Sequence, residues 1–154
     1  YKRTPLHTIE PGIQVRGGDV INRDGTGGHS IYGPLFPDES LKLRHLSEGV
    51  ISMANAGPDS NQSQFVITLA PTPWMDGSHV VFGTVLEGMQ TLHRVAREYG
   101  LDSKADKAVT ISDCGVITAH ASAAEEESIE RSTPAMVMDL IHEDIKEIRK
   151  AKAA

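Results

Sequence analysis

The chain has 154 residues, 23% of them charged and 39% hydrophobic, with a formal net charge of −6. That length fits one domain with an appendage, and the composition is that of a globular protein. The acidic balance and the scattered Lys and Arg argue against a nucleic-acid surface, and no apolar run approaches the ~20 residues of a membrane-spanning helix.

In chain order, residues 6–9 and 13–16 read as two short strands joined through Glu10-Pro11-Gly12, a turn with Pro and Gly in natural places. Residues 17–33 are glycine-rich and carry the turn signals Asp24-Gly25 and Gly27-Gly28. Residues 49–53, 64–69 and 79–86 are apolar enough for buried strands. Met89, Leu92, Ala96 and Tyr99 recur at helical spacing, with Gly100 where a terminator belongs. The alternation around Val109, Ile111 and Asp113 predicts a last strand reaching Ile117, with Cys114 packed inside it. A single cysteine rules out an intramolecular disulfide and fits an intracellular, reducing compartment, the cytoplasm first. Short strands, glycine turns and one clear helix predict a mainly β barrel.

Most of the chemistry-bearing patterns reduce to structure. Gly25-Thr26-Gly27-Gly28 lacks the following Lys-Ser/Thr of a phosphate loop, so turn geometry explains it. The histidines show no metal-ligand spacing, which assigns His7, His45 and His93 to core or surface, and no cofactor is implied. Asn61-Gln62-Ser63 fits a glycosylation sequon only incidentally. What stands out is the stretch 52–65, SMANAGPDSNQSQF, an amide cluster (Asn55, Asn61, Gln62, Gln64) around a small-residue turn. Amides offer donors and acceptors together, suited to holding a peptide backbone and unsuited to nucleophilic attack. Thr72-Pro73-Trp74-Met75-Asp76-Gly77-Ser78-His79 and Val80-Val81-Phe82-Gly83 follow.

These blocks, with Pro11-Gly12, Gly17-Gly18-Asp19 and residues 25–32, resemble the active face of the cyclophilins, the prolyl cis-trans isomerases. The resemblance runs from Tyr1 to about Ile117. It implies a cyclophilin-like antiparallel barrel, and it starts after the family's first two strands and first helix, so the barrel is expected to be incomplete here. Tyr1 in place of an initiating Met fits a processed or truncated start. Gly17, Gly18, Gly57, Gly83 and Phe82 are assigned to backbone geometry and packing. Rotating an X–Pro bond needs a ring pocket, fixed bonds to the flanking backbone, and a donor that favours the twisted amide. The family supplies that donor from an arginine positioned by a glutamine; here Thr8 matches the arginine and Arg16 the glutamine. In the proline pocket Ile13, Gln14 and Val66 replace Phe, Met and Phe, and Met75 replaces Leu. Ala54, Asn55, Gln64, Trp74 and His79 keep the family's residues that contact substrate or line the pocket.

The resemblance thus implies an isomerase homologue with attenuated or lost activity that acts mainly as a protein-binding or structural subunit. The alternative is a competent prolyl isomerase in which Arg16 substitutes as donor, and a third reading is an assembly component whose groove holds no ligand. Either of the first two would take a proline-containing peptide or protein client.

The chain divides into a cyclophilin-like domain over 1–117, a linker over 118–133 rich in Ala and Glu, and a helix over 134–154. Ser132-Thr133-Pro134 supplies the helix start. Val137, Leu140, Ile141, Ile145 and Ile148 fall on one face, a stripe worth about 1.5–3 kcal/mol per large side chain when covered. The separate linker favours docking of that stripe on a partner protein. Replacing Leu140, Ile141 and Ile145 by Ser is expected to release the chain from its complex on size-exclusion chromatography while its circular dichroism stays that of the folded domain. An unfolded domain with the complex intact would assign the helix to the chain's own core.

Overall fold

A computed structural model describes residues 1–100 and 109–116. Five strands, β1 (Thr8–Glu10), β2 (Gln14–Gly17), β3 (Val50–Met53), β4 (Phe65–Thr68) and β5 (Val81–Thr84), form one antiparallel sheet in the order β1-β2-β4-β3-β5. One helix, α1 (Met89–Tyr99), follows, and a single 3-10 turn spans Pro73–Met75. The sheet does not close among the described residues, as the incomplete barrel predicts. Beyond β1, residues 3–6 lie alongside 109–111: Arg3 N–H donates to the Ile111 carbonyl, Leu6 N–H to that of Val109, and Ile111 N–H to that of Thr4.

Alternation decides which side chains enter the core. Val15 lies opposite both Ile9 and Ile67, and Ile67 opposite Ile51. All four belong to one apolar cluster with Leu6, Leu69, Leu92, Val95, Ala96, Val109 and Ile111. Directly opposed residues share a face, so the neighbours of these positions along each strand point outward. The helix closes the cluster with Leu92, Val95 and Ala96, all buried. Gly100 ends it as the spacing suggested, although its φ of −75° is ordinary helical backbone. Space is the constraint there, since a Cβ would run into the ring of Pro11.

Three expectations need correction. The last strand was to run from Val109 to Ile117, but within 109–116 regular pairing stops at the Thr110 bridge to Pro5 and the bonds of Ile111. Cys114, expected inside, is exposed, because the chain has left the sheet edge before reaching it. Phe82 is also outside, 55% exposed: the register between β3 and β5 shifts between Ile51 and Ser52, leaving Phe82 unpaired and turned to solvent. Residue 117, the linker and the helix over 134–154 lie outside the described residues.

The glycine-rich segment after β2 is organised by one carboxylate. Asp19 is fully buried; its Oδ1 accepts from the N–H groups of Ile21 and Asn22, and its Oδ2 from those of Asp24, Gly25 and Gly27, at 2.9–3.2 Å. The loop's own acid fills the nest of N–H groups in which a phosphate would otherwise sit. Burial alone would raise the Asp19 pKa, but the backbone donors outweigh it and hold the carboxyl well below its usual range. Gly18 precedes it at φ +86°, and a Cβ there would collide with the Ser63 carbonyl.

The Asp19→Ala variant leaves those donors without an acceptor and is expected to lose on the order of 2 kcal/mol, read as a lowered urea midpoint with unchanged slope. Asp19 contributes stability above the ordinary carboxylate pKa and loses it as pH falls through its depressed value. The gap between parent and variant should therefore narrow in acid.

Candidate functional site

The face of the sheet turned away from that cluster carries two cross-strand rows, in which Val66, Ser52 and Thr68 are fully buried. Thr8 lies opposite Arg16, Arg16 opposite Val66, and Val66 opposite Ser52. In the second row Glu10 lies opposite Gln14, and Gln14 opposite Thr68. Thr8, Arg16, Gln14 and Val66 therefore share one surface, two of them across a single pair. The Thr8 hydroxyl is 3.0 Å from His7 Nδ1. Arg16 is half-buried, and its Nε is shut off from solvent without a hydrogen-bond partner. Gln14 is only 6% exposed and donates from Nε2 to Glu10 Oε2 at 2.7 Å, so its amide is already desolvated and paired. Ile13 sits apart, 39% exposed at the β1–β2 turn.

Two loops rise beside this face. Ala54 donates its N–H to the Gln64 carbonyl at 3.0 Å, closing the base of the amide-rich loop. Asn55 donates from Nδ2 to the Ser78 carbonyl at 2.7 Å and accepts from Gly57 N–H, which ties this loop to the one carrying Trp74, Met75 and His79. Gln64 donates from Nε2 to the Gly25 and Gly27 carbonyls at 2.9 and 2.5 Å. The amide donors of Asn55 and Gln64 thus bind protein rather than stand ready for a ligand. Among the described residues, the main-chain N–H and C=O of Asn55 carry no hydrogen bond, and these can hold an extended peptide. Asn61, the sequon asparagine, is fully buried and donates to Asp38 Oδ1 at 2.7 Å and to the Phe36 carbonyl.

The 3-10 turn is anchored from below. His45 is fully buried; its main-chain N–H and its Nδ1 both bond Asp76 Oδ1, at 2.7 and 2.9 Å, and its carbonyl accepts from Thr72 N–H at 3.0 Å. Both ends of Pro73–Met75 are therefore fixed to one residue. Met75 points inward, buried, while Trp74 stands 65% exposed. The His79 ring meets that of His45 edge to face at 6.5 Å, and its Nδ1 is 2.9 Å from the Ser78 hydroxyl. Burial first, then the fields of His45 and Arg16, lower the His79 pKa; burial also lowers that of His7, with Arg16 adding to it.

Sequence reasoning missed His7, Glu10 and the His45–Asp76 pair. For Glu10 the signal was available, since a period of two puts it on the face of Thr8. No local pattern announces His45 and Asp76, 31 residues apart. No group of three or more His, Cys, Asp or Glu among the described residues could hold a metal ion. No helix among them is long and apolar enough to cross a membrane.

The family model for the cyclophilin-type peptidyl-prolyl cis-trans isomerases matches residues 1–116. The chain belongs to that family. It is also 51% identical over 120 residues to a peptidyl-prolyl cis-trans isomerase of Encephalitozoon cuniculi (strain GB-M1), an alignment covering 76% of this chain and 69% of the relative.

Because the fold holds His7 and His79 below their ordinary pKa, it favours their neutral forms. Their contribution to stability is complete above an unfolded value near 6.5 and is lost as pH falls toward the folded values. The melting temperature is expected to drop between pH 7.5 and 5.5, and less so in a His7→Gln, His79→Gln double variant. An identical pH dependence in parent and variant would contradict this assignment.

Proposed function

We propose that this chain binds proline-containing peptides or protein clients in its groove and isomerises them weakly, acting mainly as a protein-binding or structural subunit. The observation that carries this is the cross-strand pair Thr8–Arg16. At the position of the family's arginine stands a short hydroxyl, already within hydrogen-bond distance of His7. A hydroxyl offers one donor on a two-atom stem, where a guanidinium offers five at long reach. Removing one preorganised donor in a related electrostatic role costs about 3 kcal/mol, roughly a hundred- to a thousandfold in rate. The pocket is altered in the same direction, with Val66 smaller than an aromatic ring and Gln14 bringing in a polar group paired to Glu10. Binding is less affected, since the loop bearing Ala54 and Asn55 keeps main-chain groups for a peptide.

One observation favours a second reading, residual catalysis through Arg16. Its guanidinium shares the row of Thr8 and its Nε has no partner, so it could lean toward the twisted amide. A donor displaced by even ~1 Å is a poor substitute, which places this reading second. The partner of the subunit is proposed to bind the apolar stripe of the C-terminal helix.

The Thr8→Arg, Arg16→Gln double variant is expected to raise kcat/KM toward X–Pro peptides about tenfold or more, a part of the lost donor's worth. A parent already as fast as an ordinary cyclophilin would overturn the attenuation. Complete loss of a measurable parental rate in Arg16→Gln alone would favour the second reading.

A further inference from the structure

Among the described residues, no carboxylate pairs with the guanidinium of Arg16. Lys2 pairs with Asp113, His45 lies against Asp76 and His93 against Glu48, and none of these acids reaches Arg16. Each acid in the neighbourhood is bonded elsewhere. Glu10 accepts from Gln14, and Asp19 from the backbone of its loop. Asp24 accepts from the N–H and hydroxyl of Thr26, Asp76 from His45, and Asp38 from Asn61 and the N–H of Asp59. The Nε of Arg16 meanwhile lies out of solvent with no hydrogen-bond partner among the described residues, while the residue as a whole is only half-buried. His7 and His79 both feel the positive field of Arg16, which lowers the pKa of each.

We infer that Arg16 recognises a carboxylate or phosphate on the bound peptide, so that the groove prefers clients with an acidic group beside the proline. The inference rests on the groove's binding proline peptides, as proposed above, and names the class of peptide. A guanidinium on the groove face suits such oxyanions because its planar fork gives two parallel N–H bonds. A glutamine at that position could donate from its amide but would carry no charge.

These two histidines add a pH dependence. An anion seated on Arg16 favours protonation of His7 and His79, and each proton gained strengthens the site. Affinity for an acidic peptide should rise from pH 7.5 to 5.5, while that for a neutral one should not. The other groups acting on these imidazoles are Asp19, Asp24 and Gln64 at His7, and His45 and Asp38 at His79. They are present with either peptide and cancel in the comparison.

The fluorescence of Trp74, the chain's single tryptophan, reads binding by the full chain. The ligands are acetylated tetrapeptide amides with Glu, phosphoserine or Gln immediately before or after one proline. The acidic peptides are expected to bind roughly five- to tenfold tighter than the glutamine ones at low salt, above the range of exposed ion pairs because Arg16 is half-buried. That preference should widen at pH 5.5, disappear in Arg16→Gln and survive in part in Arg16→Lys. Glutamate and phosphoserine arms separate a carboxylate preference from one for phosphate. Equal affinity of acidic and glutamine peptides, or a preference that persists in Arg16→Gln, overturns the inference and leaves the groove reading intact. Failure of every proline peptide to bind would overturn the groove reading and this inference together.

Discussion

The register of β2 against β4 is the constraint on which the rest depends. With Val15 opposite Ile67, both side chains enter the core, and Arg16 opposite Val66 must then face outward. A slip of one residue would exchange the faces, burying a guanidinium among Leu6, Leu92 and Val95 and exposing the apolar set. The cost of an unpaired buried charge, added to the loss of apolar burial, is what holds this register. The same alternation carries Thr8 and Gln14 to the face of Arg16, away from the core cluster. Fold and groove are two faces of one hydrogen-bonded ladder.

Beyond the ladder, the site depends on loops held by buried polar anchors. Asp19 shapes the glycine-rich segment, and Gln64 clasps the Gly25 and Gly27 carbonyls of that segment. Asn55 reaches across to Ser78, and His45 with Asp76 fixes the turn of Trp74 and Met75. Such side-chain-to-backbone bonds suit segments that lack a ladder of their own, since buried main-chain groups there would otherwise go unpaired. Thr8 and Arg16 lie on β1 and β2, and neither contributes to these anchors.

The groups on this face also set what it can attract. The guanidinium of Arg16 stands in one row with Thr8 and beside Val66. Glu10 and Gln14 add a hydrogen-bonded polar pair next to it. A surface with these groups is less suited to an apolar ligand and better suited to one bearing charge, because polar groups give up water reluctantly unless the ligand bonds them.

Much of this was legible in the residues. The five strands follow from short apolar runs bounded by turn residues, and α1 with its end at Gly100 from helical spacing, because burial dictates where apolar side chains recur. Loop chemistry was readable in part, since the phosphate-loop reading failed on sequence grounds, whereas the capture of that loop's N–H groups by Asp19 shows only in the folded chain. Other features were decided only by tertiary structure. Cys114 and Phe82 sit in strand-like surroundings, yet the end of a ladder and a bulge turn them to solvent, and neither leaves a mark in local sequence. Asn55 and Gln64 were legible as amides, but only the folded chain commits their donors to Ser78, Gly25 and Gly27. The pairing of His45 with Asp76 and, among the described residues, the lack of a carboxylate partner for Arg16 are likewise properties of three-dimensional neighbourhood. Local sequence determines which groups a strand presents and to which side; which partners those groups meet depends on loops that return from 20 to 50 residues away, as Asn55 to Ser78 at 23 and Ser63 to Gly18 at 45 illustrate.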